Sequence, residues 1–251
     1  MKTVIVTRPA PESDAWVDRL QAQGVNALAL PLLTMGSAPD AALLESFQAA
    51  AAGYDACLFV SPQAVRFFSD PRWTQATGRC WAPGPGTAQA LMAQGVEARR
   101  IDQPDPHAPQ FDSEALWAVV ASQVRSGHRL LAVRGLSPDG HTGRDWLQKQ
   151  CEARGGQVDT CVAYRRLPSV WTIDQMQQAR QALVDGSVWL LSSSEALSHL
   201  VARFPGHDWS QVCALVTHPQ IALSARNMGF GEIITTRPAI TDVLAGLHAL
   251  T

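Results

Sequence analysis

The sequence is poor in lysine, and its net charge is close to zero. Lysine occurs twice, at Lys2 and Lys149, against eighteen arginines, and the formal net charge is −2. A charge of this sign and size argues against general binding to nucleic acid. Arginine can bind a carboxylate through two parallel hydrogen bonds, so the bias is compatible with an anionic ligand, although a GC-rich genome also produces it.

Long apolar runs and paired cysteines are also missing. No run is long enough to span a bilayer, and no basic region followed by an apolar stretch opens the chain. The five cysteines are odd in number and include no Cys-x-x-Cys pair. They are therefore interpreted as reduced side chains that are mostly buried and behave as apolar groups. Together with the missing apolar runs, they lead us to expect a cytoplasmic protein without membrane contact.

Several motifs for nucleotide, metal or acyl chemistry are absent. There is no Gly-x-x-x-x-Gly-Lys-Ser/Thr phosphate loop and no Gly-x-Ser-x-Gly elbow. Gly84-Pro85-Gly86 superficially resembles a dinucleotide-binding loop, but no third glycine follows at the required spacing. The histidines lack the spacing of metal ligands. We predict that the protein needs neither a cofactor nor a metal.

The sequence does contain an internal repeat. The paired segments are 4–9 with 130–135, 54–65 with 187–197, and 80–88 with 213–222. Their offsets are 126, 132 and 134 residues, so the order is kept while loop lengths differ slightly. A period this long predicts two similar α/β units rather than a solenoid. Two such units commonly face each other across a cleft, and such clefts are preferred ligand sites.

Short apolar runs alternate with amphipathic segments along the whole chain, which predicts parallel sheets covered by helices on both faces. Predicted strands are 3–8, 25–30, 56–60, 79–82, 129–133, 157–163, 187–191, 212–216 and 232–235. Predicted helices begin at Ser61-Pro62 and otherwise cover 12–23, 40–51, 87–94, 113–125, 143–154, 173–184, 193–203, 219–227 and 240–249. The fold class is therefore a doubly wound α/β fold.

Four strand-to-helix junctions share a polar or glycine residue at the helix cap. They are Ser61-Pro62-Gln63-Ala64, Gly84-Pro85-Gly86-Thr87-Ala88, Ser193-Ser194-Glu195-Ala196 and His218-Pro219-Gln220-Ile221-Ala222. Each one, taken alone, is explained by ordinary helix capping. Together they indicate a set of helix N-termini that bind anions through free backbone N–H groups, without lysine or metal. Arg8 and Arg134 end equivalent strands, where each could face the ligand or form a local salt bridge.

Several short segments follow one another in a fixed order along the chain. They are Val6-Thr7-Arg8-Pro9, Phe59-Val60-Ser61-Pro62-Gln63-Ala64-Val65, Gly84-Pro85-Gly86-Thr87-Ala88, Asp112-Ser113-Glu114-Ala115-Leu116, Val162-Ala163-Tyr164-Arg165, Ser193-Ser194-Glu195-Ala196 and His218-Pro219-Gln220-Ile221-Ala222. No single segment is decisive, but their order and spacing resemble those of the uroporphyrinogen-III synthase family. The resemblance covers essentially the whole length of the chain.

The resemblance implies two similar doubly wound parallel-sheet domains, joined by a two-stranded connector and separated by a cleft. One domain would combine residues 1–35 with 168–251, and the other would span 37–166. The implied activity is that of a cyclising lyase of heme biosynthesis. It closes hydroxymethylbilane, a linear octacarboxylate tetrapyrrole, into uroporphyrinogen III with inversion of ring D and loss of water. The implied protein is a cytoplasmic monomer.

The resemblance also implies roles for individual residues. Tyr164 aligns with a tyrosine beside the family's cleft and is assigned proton donation, while packing at the connector is the alternative role. The remaining site residues are expected to bind substrate: Arg8, Ser61, Gln63, Ala64, Gly84, Gly86, Thr87, Ala88, Arg134, Ser193, Ser194, His218, Gln220 and Ile221. Ile221 departs from the family's Gly-x-x-Thr-Ala form and would contribute only its backbone N–H.

Two other classes of function remain possible at this point. A two-domain protein that binds a small anion without chemistry would use the same helix N-termini. A flavodoxin-like regulator is disfavoured, because no cluster of acidic residues ends the first strand.

Overall fold

The computed structural model describes residues 2–70, 74, 78–105 and 108–250. The strands are β1 (Val4–Val6), β2 (Ala27–Ala29), β3 (Leu33–Ser37), β4 (Ala56–Phe59), β5 (Arg79–Trp81), β6 (Ile101–Asp102), β7 (Arg129–Leu136), β8 (Gln157–Pro168), β9 (Val188–Leu191), β10 (Cys213–Val216) and β11 (Glu232–Thr235). The helices are α1 (Glu12–Gln21), α2 (Ala41–Ala50), α3 (Pro62–Phe67), α4 (Pro85–Ala93), α5 (Ser113–Val120), α6 (Trp146–Ala153), α7 (Ile173–Ala182), α8 (Ser194–Arg203), α9 (Pro219–Asn227) and α10 (Ile240–His248).

The chain divides into two compact units. Unit 1 consists of Met1–Thr34 and Leu167–Thr251, and unit 2 consists of Met35–Arg166. The chain therefore passes from one unit to the other twice, within β3 and near the end of β8.

Unit 1 contains a five-stranded sheet in the order β11-β10-β9-β1-β2, with parallel pairing throughout. Alternate residues of a strand point to opposite faces, so each buried strand feeds two apolar layers. Val4 and Val6 of β1 pack with Trp16 and Leu20 of α1 on one face. Ile5, between them, is also buried, at 1% exposure. The sheet is thus covered on both faces, as a parallel sheet requires.

Unit 2 contains a six-stranded sheet in the order β3-β8-β7-β4-β5-β6, and the pairs from β8 to β6 are parallel. Two apolar clusters lie on its two faces. Cys57 and Phe59 of β4 belong to one cluster, while Ala56 and Leu58 belong to the other. The α/β class with parallel sheets and helices, expected from the sequence, is confirmed.

The strand orders of the two units match. When β2-β1-β9-β10-β11 is compared with β8-β7-β4-β5-β6, β1 corresponds to β7 and β9 corresponds to β4. These are the strands of the internal repeat in the sequence. Apart from β3, which has no counterpart in the sheet of unit 1, each unit thus combines two strands from one copy of the repeat with three from the other.

Local signals in the sequence explain where helices begin and end. The Asp40 carboxylate accepts a hydrogen bond from Leu43 N at 2.9 Å, and Thr172 forms a capping box with Gln175 at the start of α7. Gly24 and Gly95 follow α1 and α4 with φ of +75° and +89°, in the left-handed region that glycine adopts readily.

Several strands are longer or more numerous than the sequence predicted. β3 and the two-residue β6 have no predicted counterpart, and β7 and β8 continue to Leu136 and Pro168. These additional residues include Arg134, Arg165 and Arg166, so they lack the apolar character on which the prediction rested.

Candidate functional site

In unit 2, the predicted site residues follow β4 and β5 or lie in the C-terminal halves of β7 and β8. These strands run parallel, so their carboxyl ends share one edge of the sheet. Helix α3 begins after β4 and α4 begins after β5. A Cβ placed on Gly86 would lie 3.7 Å from Pro62 Cγ. The N-termini of α3 and α4 are therefore neighbours.

Ser61 connects the start of α3 to Tyr164. Its Oγ accepts a hydrogen bond from Ala64 N at 3.2 Å and lies 3.0 Å from the Tyr164 hydroxyl. Because each of these hydroxyls can donate to the other, the pair can pass a proton between them. The structure thus brings together two of the residues selected from the sequence.

Tyr164 is enclosed by residues of its own unit. It is only 3% exposed, and its ring stacks on that of Phe67 with 5.5 Å between centroids and 28° between planes. Gly135 also lies against the ring, because an added Cβ there would come within 2.4 Å of two ring carbons of Tyr164. Sequence reasoning missed both Phe67 and Gly135.

The start of α4 has no side-chain cap. Gly84 occupies the cap position, and the N–H groups of Thr87 and Ala88 both donate to its carbonyl at 3.2 Å. Thr87 is 4% exposed, and Gln63 and Ala64 of α3 are also buried. These residues therefore present mainly backbone at the sheet edge. A Cβ on Gly84 would lie 3.1 Å from Phe111 Cβ, so a larger residue would crowd that contact.

Unit 1 has the corresponding arrangement at α8 and α9. Ser193 Oγ accepts from Ala196 N at 3.3 Å, and His218 Nδ1 accepts from Gln220 N at 3.1 Å. The hydroxyls of Ser194 and Ser224 lie 3.3 Å apart, which places the two helices side by side. Ile221 is 5% exposed, so its side chain belongs to the core.

The two strand-end arginines are engaged by their own units. Arg8 lies 3.7 Å from the Glu12 carboxylate and stacks over the Trp16 ring at 4.7 Å. Arg134 donates to Gln148 Oε1 at 2.6 Å and to the carbonyl of Arg144. Burial lowers the pKa of both guanidinium groups.

A shallow, open pocket of about 460 Å³ lies at the opposite edge of the unit 2 sheet. It is lined by Asp55, Arg79, Gln123, Arg125 and His128, none of which was predicted as a site residue. The strands begin at this edge, whereas ligands of parallel sheets collect where the strands end. The residues predicted from the sequence therefore lie at the edge where ligands are expected and not at this pocket.

Among residues 2–70, 74, 78–105 and 108–250, no three histidine, cysteine or acidic side chains are grouped as metal ligands. No helix within those ranges has the length and apolar character needed to cross a membrane.

Comparison with known proteins identifies the family. The family model described as uroporphyrinogen-III synthase HemD matches residues 14–245. The uroporphyrinogen-III synthase of Salmonella typhimurium is 29% identical over 252 residues, covering 96% of this chain and 98% of its own. That of Escherichia coli is 27% identical with the same coverage.

Solved structures of uroporphyrinogen III synthases share the fold of this chain. The chain resembles a mutant uroporphyrinogen III synthase from Thermus thermophilus with a TM-score of 0.59 and 16% identity, covering 99% of this chain and 97% of the other. It resembles the Helicobacter pylori enzyme with a TM-score of 0.60 and 13% identity, covering 100% and 99%. At these identities the likeness concerns the two-domain α/β fold alone. The family model, which matches residues 14–245, shows that this chain belongs to the uroporphyrinogen-III synthase family, in agreement with the two bacterial relatives.

Proposed function

We propose that this protein closes hydroxymethylbilane into uroporphyrinogen III by holding the substrate carboxylates at helix N-termini while Tyr164 and Ser61 assist the departure of water. The observation that carries the proposal is the 3.0 Å contact between Ser61 Oγ and the Tyr164 hydroxyl at the start of α3. The two units of the fold are proposed to be its domains.

Carboxylate binding is assigned to the starts of α3, α4, α8 and α9. The first N–H groups of a helix have no partner within the helix, and they carry a partial positive charge. The side chains of Ser61, Ser193 and His218 each occupy one N–H of their helix. Gly84 has no side chain, so no cap side chain occupies an N–H group at the start of α4.

The reaction begins with loss of the terminal hydroxyl. The pyrrole nitrogen supplies the electron pair that breaks the C–O bond, and the Tyr164 hydroxyl donates the proton with which the hydroxyl leaves as water. The pyrrole N–H proton, released as the azafulvene forms, restores the tyrosine hydroxyl, and Ser61 orients that hydroxyl across their contact. The azafulvene that remains is a strong electrophile and needs little further activation.

Ring inversion follows from how the substrate is held. The substituted carbon of ring D attacks the azafulvene carbon and forms a spiro intermediate. That intermediate breaks at the neighbouring bridge and recloses with ring D turned over. The proton lost from the reacting ring D carbon returns to the former azafulvene nitrogen, which restores both pyrroles. Because the uncatalysed closure gives the other isomer, orientation by the bound carboxylates determines the product.

Isomer analysis of the product tests this function. Hydroxymethylbilane incubated with a small amount of protein should give type III uroporphyrinogen in large molar excess over enzyme, measured chromatographically after oxidation. A protein that only binds the anion would leave the type I isomer as the main product, and that result would overturn the proposal.

We further propose that the protein acts as a monomer in the cytoplasm and does not bind nucleic acid. The formal charge of −2 supports the last point. Light scattering coupled to gel filtration measures the mass in solution, and a dimer mass would contradict the monomer.

A further inference from the structure

A bulge between β7 and β8 determines which face of the sheet Tyr164 occupies. Arg134 pairs with Val162, but the next residue, Gly135, pairs with Tyr164, so Ala163 is the extra residue. Bulges are rare in parallel sheets and often turn a side chain toward a functional site.

Without this bulge, Tyr164 would point to the opposite face. Side chains alternate along a strand, and Cys161 and Ala163 both contribute to the apolar cluster beside α3. Tyr164 should then lie with Thr160, which contacts Gln148 of α6 on the other face. Instead, Ala163 and Tyr164 are consecutive buried members of the cluster beside α3.

Gly135 provides the space into which the re-aimed ring fits. A Cβ at this position would come within 2.4 Å of Tyr164 Cε2 and Cζ and within 2.8 Å of the hydroxyl oxygen. Gly135 does not have the positive φ seen at Gly140 and Gly143, so the backbone itself would accept alanine. The requirement for glycine therefore comes from the Tyr164 ring.

Phe67 restrains the same ring through a stacking contact at 5.5 Å. With Phe67 beside it and no side chain at Gly135, the ring can place its hydroxyl 3.0 Å from Ser61.

We propose that Gly135, acting with the bulge at Ala163, is a positioning residue that sets the Tyr164 hydroxyl against Ser61 for the dehydration step. This inference rests on the proposed function of Tyr164. Gly135 itself touches no substrate in this account, and its effect on the rate passes entirely through the position of the Tyr164 hydroxyl.

A double-mutant cycle between Gly135→Ala and Tyr164→Phe tests this. The added methyl group displaces the ring, so Gly135→Ala should lower kcat. The loss should not exceed that of Tyr164→Phe, about 100-fold at most, and KM should be nearly unchanged. In the Tyr164→Phe background, Gly135→Ala should cause no further loss of kcat, because the hydroxyl is already absent.

Thermal unfolding separates packing from positioning. Gly135→Ala should lower Tm in the wild-type and Tyr164→Phe backgrounds, where the ring is present, but not in Tyr164→Ala. Gly53→Ala is the matched control, since a Cβ there meets only Arg129 Nη1, at 3.6 Å. It should leave kcat, KM and Tm nearly unchanged.

Three outcomes would overturn the proposal, and they are distinguishable. A fully active Tyr164→Phe refutes the acid role of the hydroxyl and the positioning role with it. A slow Tyr164→Phe with a normal Gly135→Ala refutes positioning alone. Equal losses from Gly135→Ala with and without the hydroxyl show that Gly135 acts on the rate by another route.

Discussion

At the residue scale, Tyr54 illustrates how burial changes an ionisation. It is 6% exposed, and its hydroxyl donates to Asp159 Oδ2 at 2.7 Å. Burial, followed by this hydrogen bond and the charge of Asp159, raises the pKa of Tyr54 to about 12. Since tyrosine normally ionises near pH 10, the unfolded chain loses this proton first as the pH rises.

We predict that the folded state loses stability between about pH 10 and pH 12 in part through Tyr54. Tyr54→Phe should make the free energy of unfolding less steeply dependent on pH in that window, as measured by urea titration at several pH values. The chain has two tyrosines, so tyrosinate absorbance can follow the same group directly. An unchanged slope in Tyr54→Phe would contradict the prediction.

Tyr164→Phe should keep the fold and slow formation of the type III product without changing the isomer. The ring retains its contact with Phe67, and only the hydroxyl next to Ser61 is lost. General acids contribute about 100-fold or more, and we expect the effect here at or below that limit because the pyrrole drives dehydration. Release of type I product from a bound intermediate would instead mean that Tyr164 orients ring D.

Single residues at this site differ in how far sequence could predict their surroundings. Ser61 follows an apolar strand and precedes proline, a local pattern that predicts a helix cap correctly. The surroundings of Tyr164 depend on the bulge at Ala163 and on an open position at Gly135 in another strand. Neither feature leaves a local pattern, because both arise from the register between two strands.

At the element scale, the caps of α3 and α8 are equivalent positions with different neighbours. Ser61 and Ser193 each accept one backbone hydrogen bond, from Ala64 and Ala196. Of the two serines, Ser61 has an additional hydrogen bond, to the Tyr164 hydroxyl, within the described part of the chain. Replacing either serine by alanine should cost about 1 kcal/mol of stability, the usual value of such a cap.

The two substitutions should therefore differ in activity rather than in stability. Ser193→Ala should lower kcat by a few-fold at most, whereas Ser61→Ala should lower it by roughly tenfold, since it also removes the partner of the Tyr164 hydroxyl. Steady-state kinetics measures kcat for both variants, and their Tm values show whether the two have lost the same stability. Equal losses of kcat would show that the contact with Tyr164 does not contribute to the rate.

Sequence predicted most helices and strands but not the full length of the sheet of unit 2. The buried strands are short apolar runs, so their periodicity is easy to interpret. β3 contains Thr34 and Gly36, and the end of β8 contains Arg165 and Arg166. These residues are held in the sheet by pairing with a neighbouring strand, which a local apolar pattern does not indicate.

At the scale of the whole molecule, we predict that activity survives dialysis against a strong chelator and needs no added nucleotide. The chain lacks the phosphate-loop and dinucleotide motifs, and the proposed site uses helix N-termini and hydroxyl groups. The measurement is type III formation before and after dialysis. Loss of activity that a divalent metal restores would refute this prediction.

The two units also predict which fragments can fold. Residues 35–166 contain β4 to β8, five strands that pair with one another. Residues 1–125 are of similar length but lack β7 and β9, the strands next to β4 and β1. We expect cooperative thermal unfolding by circular dichroism from the first fragment and none from the second. The reverse result would contradict this division of the chain.

Because each unit contains strands from both copies of the repeat, the two units must complete their folding in a definite order during synthesis on the ribosome. β1 and β2 emerge first, yet β9, the other neighbour of β1, begins at Val188. At ordinary translation speeds this delay is about 8–30 s. Unit 2 can form within that time, while the first apolar strands wait with one edge unpaired. We therefore expect a chaperone that binds exposed apolar strands to contact β1 and β2 during synthesis.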